Sequence, residues 1–219
     1  SNSDSPTEED WHGFTCYSPH VIHLSYVSLR HAYQVFTGSM DFQGEDGDSL
    51  RITHSSFRDI LGRIFDNTIH LSSGARCVIQ DNRFVGFEKF FNNYINLYDD
   101  GTLLKVDGND FVDCTEALTG GQGIQVQELG PRVLFTNNQS NSNSLLRFGI
   151  SSSAENSPEV QVIIRDNQLS GDYIVLGGSD GTQGRFLFKS NTLNGCYMTV
   201  SSTERALIQD NTIQNSYIG

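Results

Sequence analysis

Ile79-Gln80-Asp81-Asn82-Arg83-Phe84 states a phrase that returns through most of the chain: apolar, any, any, Asn, any, apolar. Its copies run Val106 to Asn109 to Phe111, Ile164 to Asn167 to Leu169, Phe188 to Asn191 to Leu193, and Ile208 to Asn211 to Ile213. Asn138, with Phe135 before it, fits the same frame. Two earlier copies replace the amide, with Ser55 between Ile52 and Phe57 and Val27 between Leu24 and Leu29. The key positions are 27, 55, 82, 109, 138, 167, 191 and 211, spaced by 28, 27, 27, 29, 29, 24 and 20 residues. A period in the twenties marks a solenoid, whose units bury their apolar faces only by stacking. Leucine-rich repeats share that period but need several leucines at fixed offsets, whereas here Ile, Val, Phe and Leu surround one Asn. The reading is an all-β chain folded as a parallel β-helix of about eight coils. Asn tolerates the left-handed backbone of a sharp turn, and its amide can bond the coils above and below, so the repeated asparagines are expected to form a structural ladder.

A second strand per coil is expected after each ladder turn. Its triplets are Tyr33-Gln34-Val35, Ile69-His70-Leu71, Ile95-Asn96-Leu97, Ile124-Gln125-Val126, Phe148-Gly149-Ile150, Ile174-Val175-Leu176 and Met198-Thr199-Val200. The outer members should point inward and the middle one to solvent, because side chains alternate faces along a strand. The connection from ladder turn to triplet is long in coils two to four and tight near the end, so a groove is expected on that side.

The 219 residues, 37% of them hydrophobic, suffice for one core spanning residues 11–219. Residues 1–10, rich in Ser, Asp, Glu and Pro, read as a disordered lead-in. No run is long enough to span a bilayer, so membrane insertion is not expected. The 26 acidic against 14 basic residues give a net charge of −12, which argues against nucleic acid as a partner. It also disfavours an acidic polysaccharide, unless a cation bridges or a local Arg patch exists. The four cysteines show neither disulfide nor metal spacing, and Cys114 and Cys196, each five residues past a ladder position, are expected at equivalent sites in separate coils. The sequon Asn138-Gln139-Ser140 falls on the ladder and should be inaccessible. Trp11, before His12-Gly13-Phe14, is expected to lie over the first coil. The chain stops eight residues past Asn211, so its open end is expected to meet either the remainder of a longer chain or another subunit of a homo-oligomer.

The Ile-x-x-Asn-x-Phe phrase resembles the right-handed parallel β-helix (pectin-lyase-like) superfamily, which includes pectin lyases, chondroitinase B, alginate lyases and phage tailspikes. Residues 42–52, Phe-Gln-Gly-Glu-Asp-Gly-Asp-Ser-Leu-Arg-Ile, followed by Ser56-Phe57-Arg58-Asp59-Ile60, resemble the second, mostly noncatalytic β-helix domain of two-domain alginate lyases of polysaccharide lyase family six. Their catalytic domain uses Lys and Arg on adjacent coils with a bound calcium. Here Lys105 and Lys189 precede ladder turns, Lys89 falls in an expected loop, and no such pair can be carried over. The resemblance implies a secreted or cell-surface module acting on a polysaccharide; a complete lyase and a structural stalk, adhesin or tail-fibre segment are the alternatives.

Any site should lie on the solvent face of the second strand, where equivalent residues stack about 4.8 Å apart. Tyr94, Asn96, Tyr98, Gln125, Gln127 and Arg147 are the expected sugar-binding residues, since rings stack on apolar sugar faces while hydroxyls need donors and acceptors. A lyase would use Tyr98 as base, with His70 or Arg147 among the groups that neutralise the uronate carboxylate. A glycosidase would need a carboxylate pair, for which Asp99 or Asp100 with Glu128 is the candidate. Asp41, Glu45, Asp46 and Asp48 cluster among glycines and offer the oxygen ligands that Ca2+ prefers, without EF-hand spacing.

Overall fold

The structure, a computed structural model, describes residues 13–17, 19–44, 49–119, 123–128, 130–141, 144–150, 161–178, 185–201 and 205–219. Trp11, the residues 1–10 and the carboxylates Glu45, Asp46 and Asp48 lie outside them. The chain is a parallel β-solenoid with three strands per rung, one more than the triplet reading expects. Sheet one holds the residues before each ladder position: Val21–Ser25, Ser49–Thr53, Arg76–Gln80, Leu103–Asp107, Arg132–Thr136, Val162–Arg165, Arg185–Lys189 and Arg205–Gln209. Sheet two follows the ladder turn, from Ser28–Thr37, Ser56–Phe65, Arg83–Phe91 and Asp110–Ala117 to the much shorter Gln139–Ser140, Gln168–Ser170, Thr192–Asn194 and Thr212–Gln214. Sheet three holds Met40–Gln43, Ile69–Ser72, Tyr94–Leu97, Gly123–Val126, Leu145–Ile150, Tyr173–Gly178, Tyr197–Ser201 and Tyr217–Ile218. Phe14–Thr15 pairs with Ser28–Thr37 ahead of the first rung.

The ladder turn explains the repeated asparagine, for a different reason than backbone tolerance. The left-handed residue is the one before each key position: Tyr26, His54, Asp81, Gly108, Asn137, Asp166, Ser190 and Asp210 all have φ between 50° and 65°. The key residue instead turns inward and bonds along the stack. Asn109 donates Nδ2 to Ile79 O of the previous rung (2.9 Å) and to Asn138 Oδ1 of the next (3.0 Å), and its backbone N–H also reaches Asn138 Oδ1 (3.0 Å). The same pattern joins Asn82, Asn138, Asn167, Asn191 and Asn211. At the N-terminal end Ser55 takes over, its N–H donating to Asn82 Oδ1 (2.9 Å) and its hydroxyl accepting from Val27 N (3.1 Å). From Ser55 to Asn191 these side chains are buried, so each of their bonds satisfies a donor or acceptor that water cannot reach. Asn138 is 0% exposed, which makes its sequon inaccessible as expected.

The long strands of sheet two carry a second left-handed corner at His31, Asp59, Gly86 and Asp113, and the strand register slips just after it, between Ala32 and Gln34, Ile60 and Arg63, and Cys114 and Ala117. This corner widens the first four rungs, and phenylalanines fill the width. Phe57, Phe84 and Phe111 stack at 5.1 and 5.4 Å, Phe36, Phe65 and Phe91 at 5.0 Å, and Phe90 meets Phe65, Phe84, Phe91 and Phe111 edge-on. Such pairs add to simple area burial. The later rungs turn early and need less volume, so Leu, Ile and Val fill more of the core there. In the last rung Ile208, Ile213 and Ile218 sit at inward positions with one neighbouring rung only, at 37%, 41% and 39% exposure.

Three further expectations change. Met40-Asp41-Phe42, and not Tyr33-Gln34-Val35, aligns with Ile69-His70-Leu71. Phe148 pairs with Leu176 and Leu176 with Val200, so the last two triplets sit two residues out of the expected register, a slip that keeps every side chain on its face. Cys114 stacks on Phe87 in sheet two, whereas Cys196 lies at the corner into sheet three, because its rung has the short second strand Thr192–Asn194 in place of the long Asp110–Ala117. All four thiols are free, and Cys77, Cys114 and Cys196 are buried.

Candidate functional site

Sheet three presents the expected face. Along its outer side Asp41, His70, Asn96, Gln125 and Gly149 form one column by strand register. Tyr94, Gly123 and Arg147 form a second. Tyr98 and Gln127 continue the next column, since their amides bond Leu71 O and Leu97 O. Tyr94, Asn96, Tyr98, Gln125, Gln127 and Arg147 thus share three neighbouring rungs. His70 joins them, with its ring 6.2 Å from that of Tyr98 (22° between planes) and 6.2 Å edge-on from Tyr94. Asn96 is the buried centre, and its Oδ1 accepts from Gln127 Nε2 at 2.9 Å.

Two glycines let long side chains lie flat here. A Cβ at Gly149 would stand 2.2 Å from Gln125 Oε1, and one at Gly123 would stand 2.8 Å from both Cβ and Cγ of Arg147. Gln125 therefore covers Gly149, and Arg147 covers Gly123 beside Tyr94. Gly149→Ala should change stability by less than about 1 kcal/mol, because its backbone is not left-handed and the clash is with a movable amide. It should displace Gln125 and weaken whatever this face binds. Gly123→Ala should be clearly worse folded, since Gly123 has φ +83° and its Cβ would meet Arg147 O at 2.5 Å. Thermal melts of the two variants check the contrast.

Of the catalytic candidates, His70 and Tyr98 lie together and Arg147 stands apart. Arg147 lies two rungs and four strand positions from Tyr98, which puts their Cα atoms roughly 16 Å apart. Asp99 and Glu128 act as turn caps: Asp99 Oδ2 accepts from Ser73 N (3.1 Å) and Glu128 Oε2 from Asp99 N (3.3 Å). Asp100 Oδ1 accepts from Gly101 N (2.9 Å). Asp41 Oδ2 accepts from Ser39 Oγ (2.9 Å), and among the described residues no three His, Cys, Asp or Glu side chains converge on a cation position. Lys89 lies in strand Arg83–Phe91, not in a loop, and pairs with Glu116 (2.8 Å) and Glu88 (3.5 Å). These partners hold its ammonium above the usual lysine range, the Glu116 hydrogen bond most of all.

A second feature lies on sheet two. Where the long strands give way to short ones, a groove of about 270 Å³ opens over four rungs, lined by Asp110, Gln139, Asn141, Gln168, Thr192 and Asn194 among others. Arg83 Nε holds Asp110 Oδ2 at 3.2 Å on its wide side. The shrinking interval between ladder and triplet signals this step, but triplet logic puts it in loops and aims the groove at sheet three. Ser140 also lines the groove and donates its hydroxyl to Asp172 Oδ1 (3.1 Å), a fully buried carboxylate behind it. Ser144 adds its N–H (3.1 Å) and hydroxyl (3.2 Å) to the same oxygen, while Asp172 Oδ2 has no hydrogen-bond partner. Burial pushes this carboxyl up to about 6, against the pull of the Ser144 and Ser140 hydrogen bonds.

Tyr173, Tyr197 and Tyr217 stack at 5.0 Å spacings on sheet three, three residues beyond the groove columns. Tyr197 is covered on both faces by its neighbours, and Tyr173 and Tyr217 each share one face with it. No described helix is long and apolar enough to cross a membrane. No protein-family model, curated protein or solved structure matches the chain.

Proposed function

We propose that this solenoid is a carbohydrate-binding module of a secreted or cell-surface protein, which holds a polysaccharide on sheet three. The carrying observation is the cluster of His70, Tyr94 and Tyr98 rings around the Asn96 and Gln127 amide pair, with Gln125 and Arg147 on the next rungs. Rings offer apolar patches to sugar C–H faces, and amides supply both donors and acceptors to hydroxyls. The amide-lined and hydroxyl-lined groove on sheet two extends the same chemistry around the corner. Binding without cleavage is the reading favoured, because Tyr98 and Arg147 stand apart and the carboxylates beside the face are engaged by turn amides.

The test is a glycan array followed by calorimetry on the best ligand. Tyr98→Ala should weaken binding at least tenfold, about 1.4 kcal/mol, while Tyr98→Phe keeps the ring and most of the affinity. A chain that retains no glycan at millimolar concentration, or a Tyr98→Ala variant that binds like the parent, would overturn the reading.

A further inference from the structure

Strand register shows a charge segregation that composition conceals. Among the residues whose side chains are described, the outward positions of sheet one carry seven Lys or Arg residues and one carboxylate, Asp107. The cations fall in three columns: Arg76, Arg132 and Arg185 on one side, Arg51 and Lys105 in the middle, and Arg165 and Lys189 on the other. Below Lys105 the middle column turns aliphatic, through Leu134, Ile163, Leu187 and Leu207, the last 49% exposed. Three carboxylates line the ladder-turn rim, with Asp166 near Arg165 (3.6 Å) and Asp210 near Lys189 (3.6 Å), while Asp81 faces His54 (3.8 Å). Summed over the described outward positions and that ladder-turn rim, the charge is positive, on a protein whose net charge is −12.

We propose that sheet one is a docking face for the anionic headgroup surface of a phospholipid bilayer, on which the solenoid lies flat without inserting. Eight strands make a face roughly 34 Å long and 16 Å wide. A linear polyanion along the axis would meet one column of cations at a time; a plane meets all three. The centre of the face is aliphatic and has no rings for base stacking, which disfavours nucleic acid. It suits the boundary of headgroups and acyl chains, with Lys and Arg stems spread around it. The acidic excess elsewhere does not prevent contact, because charges more than about 8 to 10 Å from the bilayer are screened at physiological salt.

The full chain should co-sediment with vesicles of roughly 70:30 phosphatidylcholine and phosphatidylserine at low salt, release as salt rises, and ignore vesicles of phosphatidylcholine alone. Arg51→Glu with Arg132→Glu should weaken binding about a hundredfold or more, since each cation near an anionic surface contributes about a factor of five. Arg165→Glu with Lys189→Glu is the second pair, in case the first does not melt like the parent. Arg30→Glu with Arg58→Glu makes the same change in net charge on sheet two and should leave binding nearly intact. Equal losses from the sheet-one and sheet-two pairs would overturn the proposal, as would equal binding to both vesicle types. Retention on an acidic polysaccharide or acidic protein without vesicle binding would overturn the lipid assignment. None of these outcomes touches Tyr98, so the sugar-binding reading stands or falls separately.

Discussion

Asn138→Ala is expected to destabilise the fold by about 4 kcal/mol, a large share of what a single domain possesses. The side chain is fully buried and makes four bonds along the stack. Its Nδ2 donates to Val106 O (2.9 Å) and Asn167 Oδ1 (3.1 Å), and its Oδ1 accepts from Asn109 N and Asn109 Nδ2, both at 3.0 Å. Alanine leaves Asn109 N and Val106 O without this partner, and it takes one bond each from Asn109 Nδ2, which keeps Ile79 O, and from Asn167 Oδ1, which keeps the backbone N–H of residue 138; each such loss in a dry site costs about 1 to 3 kcal/mol. Relaxation and a trapped water reduce the total, which is why the sum is set near its lower half. Asn138→Asp is nearly isosteric and should be worse still. It keeps the accepting oxygen but aims a carboxylate oxygen at Val106 O and Asn167 Oδ1, two acceptors, in a site without a cation. Urea unfolding of both variants gives the comparison: equal stability of Asp and Asn at neutral pH would show that the chain of amides is incidental to the fold. Asn211→Ala, in the last rung, should cost clearly less, because its Oδ1 accepts from Asn191 but its residue is only partly buried.

How much of this was legible depends on which link carries the information. The ladder phrase encodes sheet one and the turn after it, since Ile79, Asn82 and Phe84 each meet their counterparts in the next rung at equal offsets. The inward and outward alternation of Ile69-His70-Leu71 or Ile95-Asn96-Leu97 is equally local, and so the face that holds Tyr94, Asn96, Tyr98 and Gln125 could be read from residues alone. The path between them is not local. Strand Ser56–Phe65 passes through a left-handed corner at Asp59, which looks like a loop in sequence because period-two alternation breaks there. The groove on sheet two exists only because rungs four and five differ in length, a relation between coils. The basic face is hidden for the same reason: Arg76, Arg132 and Arg185 lie 56 and 53 residues apart and become neighbours of a kind only through register. Net charge, which sums over every face, points the other way.

Lowering the pH from neutral should stabilise the chain through Asp172, opposite to the behaviour of its surface carboxylates. In the fold this carboxyl is pushed up to about 6 from its ordinary 3.8, chiefly by burial. A raised folded-state value means that the folded chain holds its proton more tightly than the unfolded one. The associated stability is therefore fully present below the unfolded value and is lost as pH rises through about 6. Roughly two pKa units correspond to about 3 kcal/mol, of which about 1.5 falls between pH 5 and pH 8. Asp107 and Glu116 do not confuse that window. Both are held below the usual carboxylate range, Asp107 by bonds to Thr136, Asn137 and Lys105 that outweigh its burial, and Glu116 chiefly by its bond to Lys89. Their contributions decline only at lower pH. The decisive comparison is the parent against Asp172→Asn, followed by urea unfolding across pH 5 to 8. Asn keeps the oxygen that Ser140 and Ser144 bond, and any cost of its unpartnered amide is the same at every pH, so the difference in slope isolates the proton. Ser144→Ala, which removes one hydroxyl donor to the charged form, should move the midpoint further up. Parallel pH profiles for parent and Asp172→Asn would show that the carboxyl is solvated after all, and that nothing behind the groove senses protons.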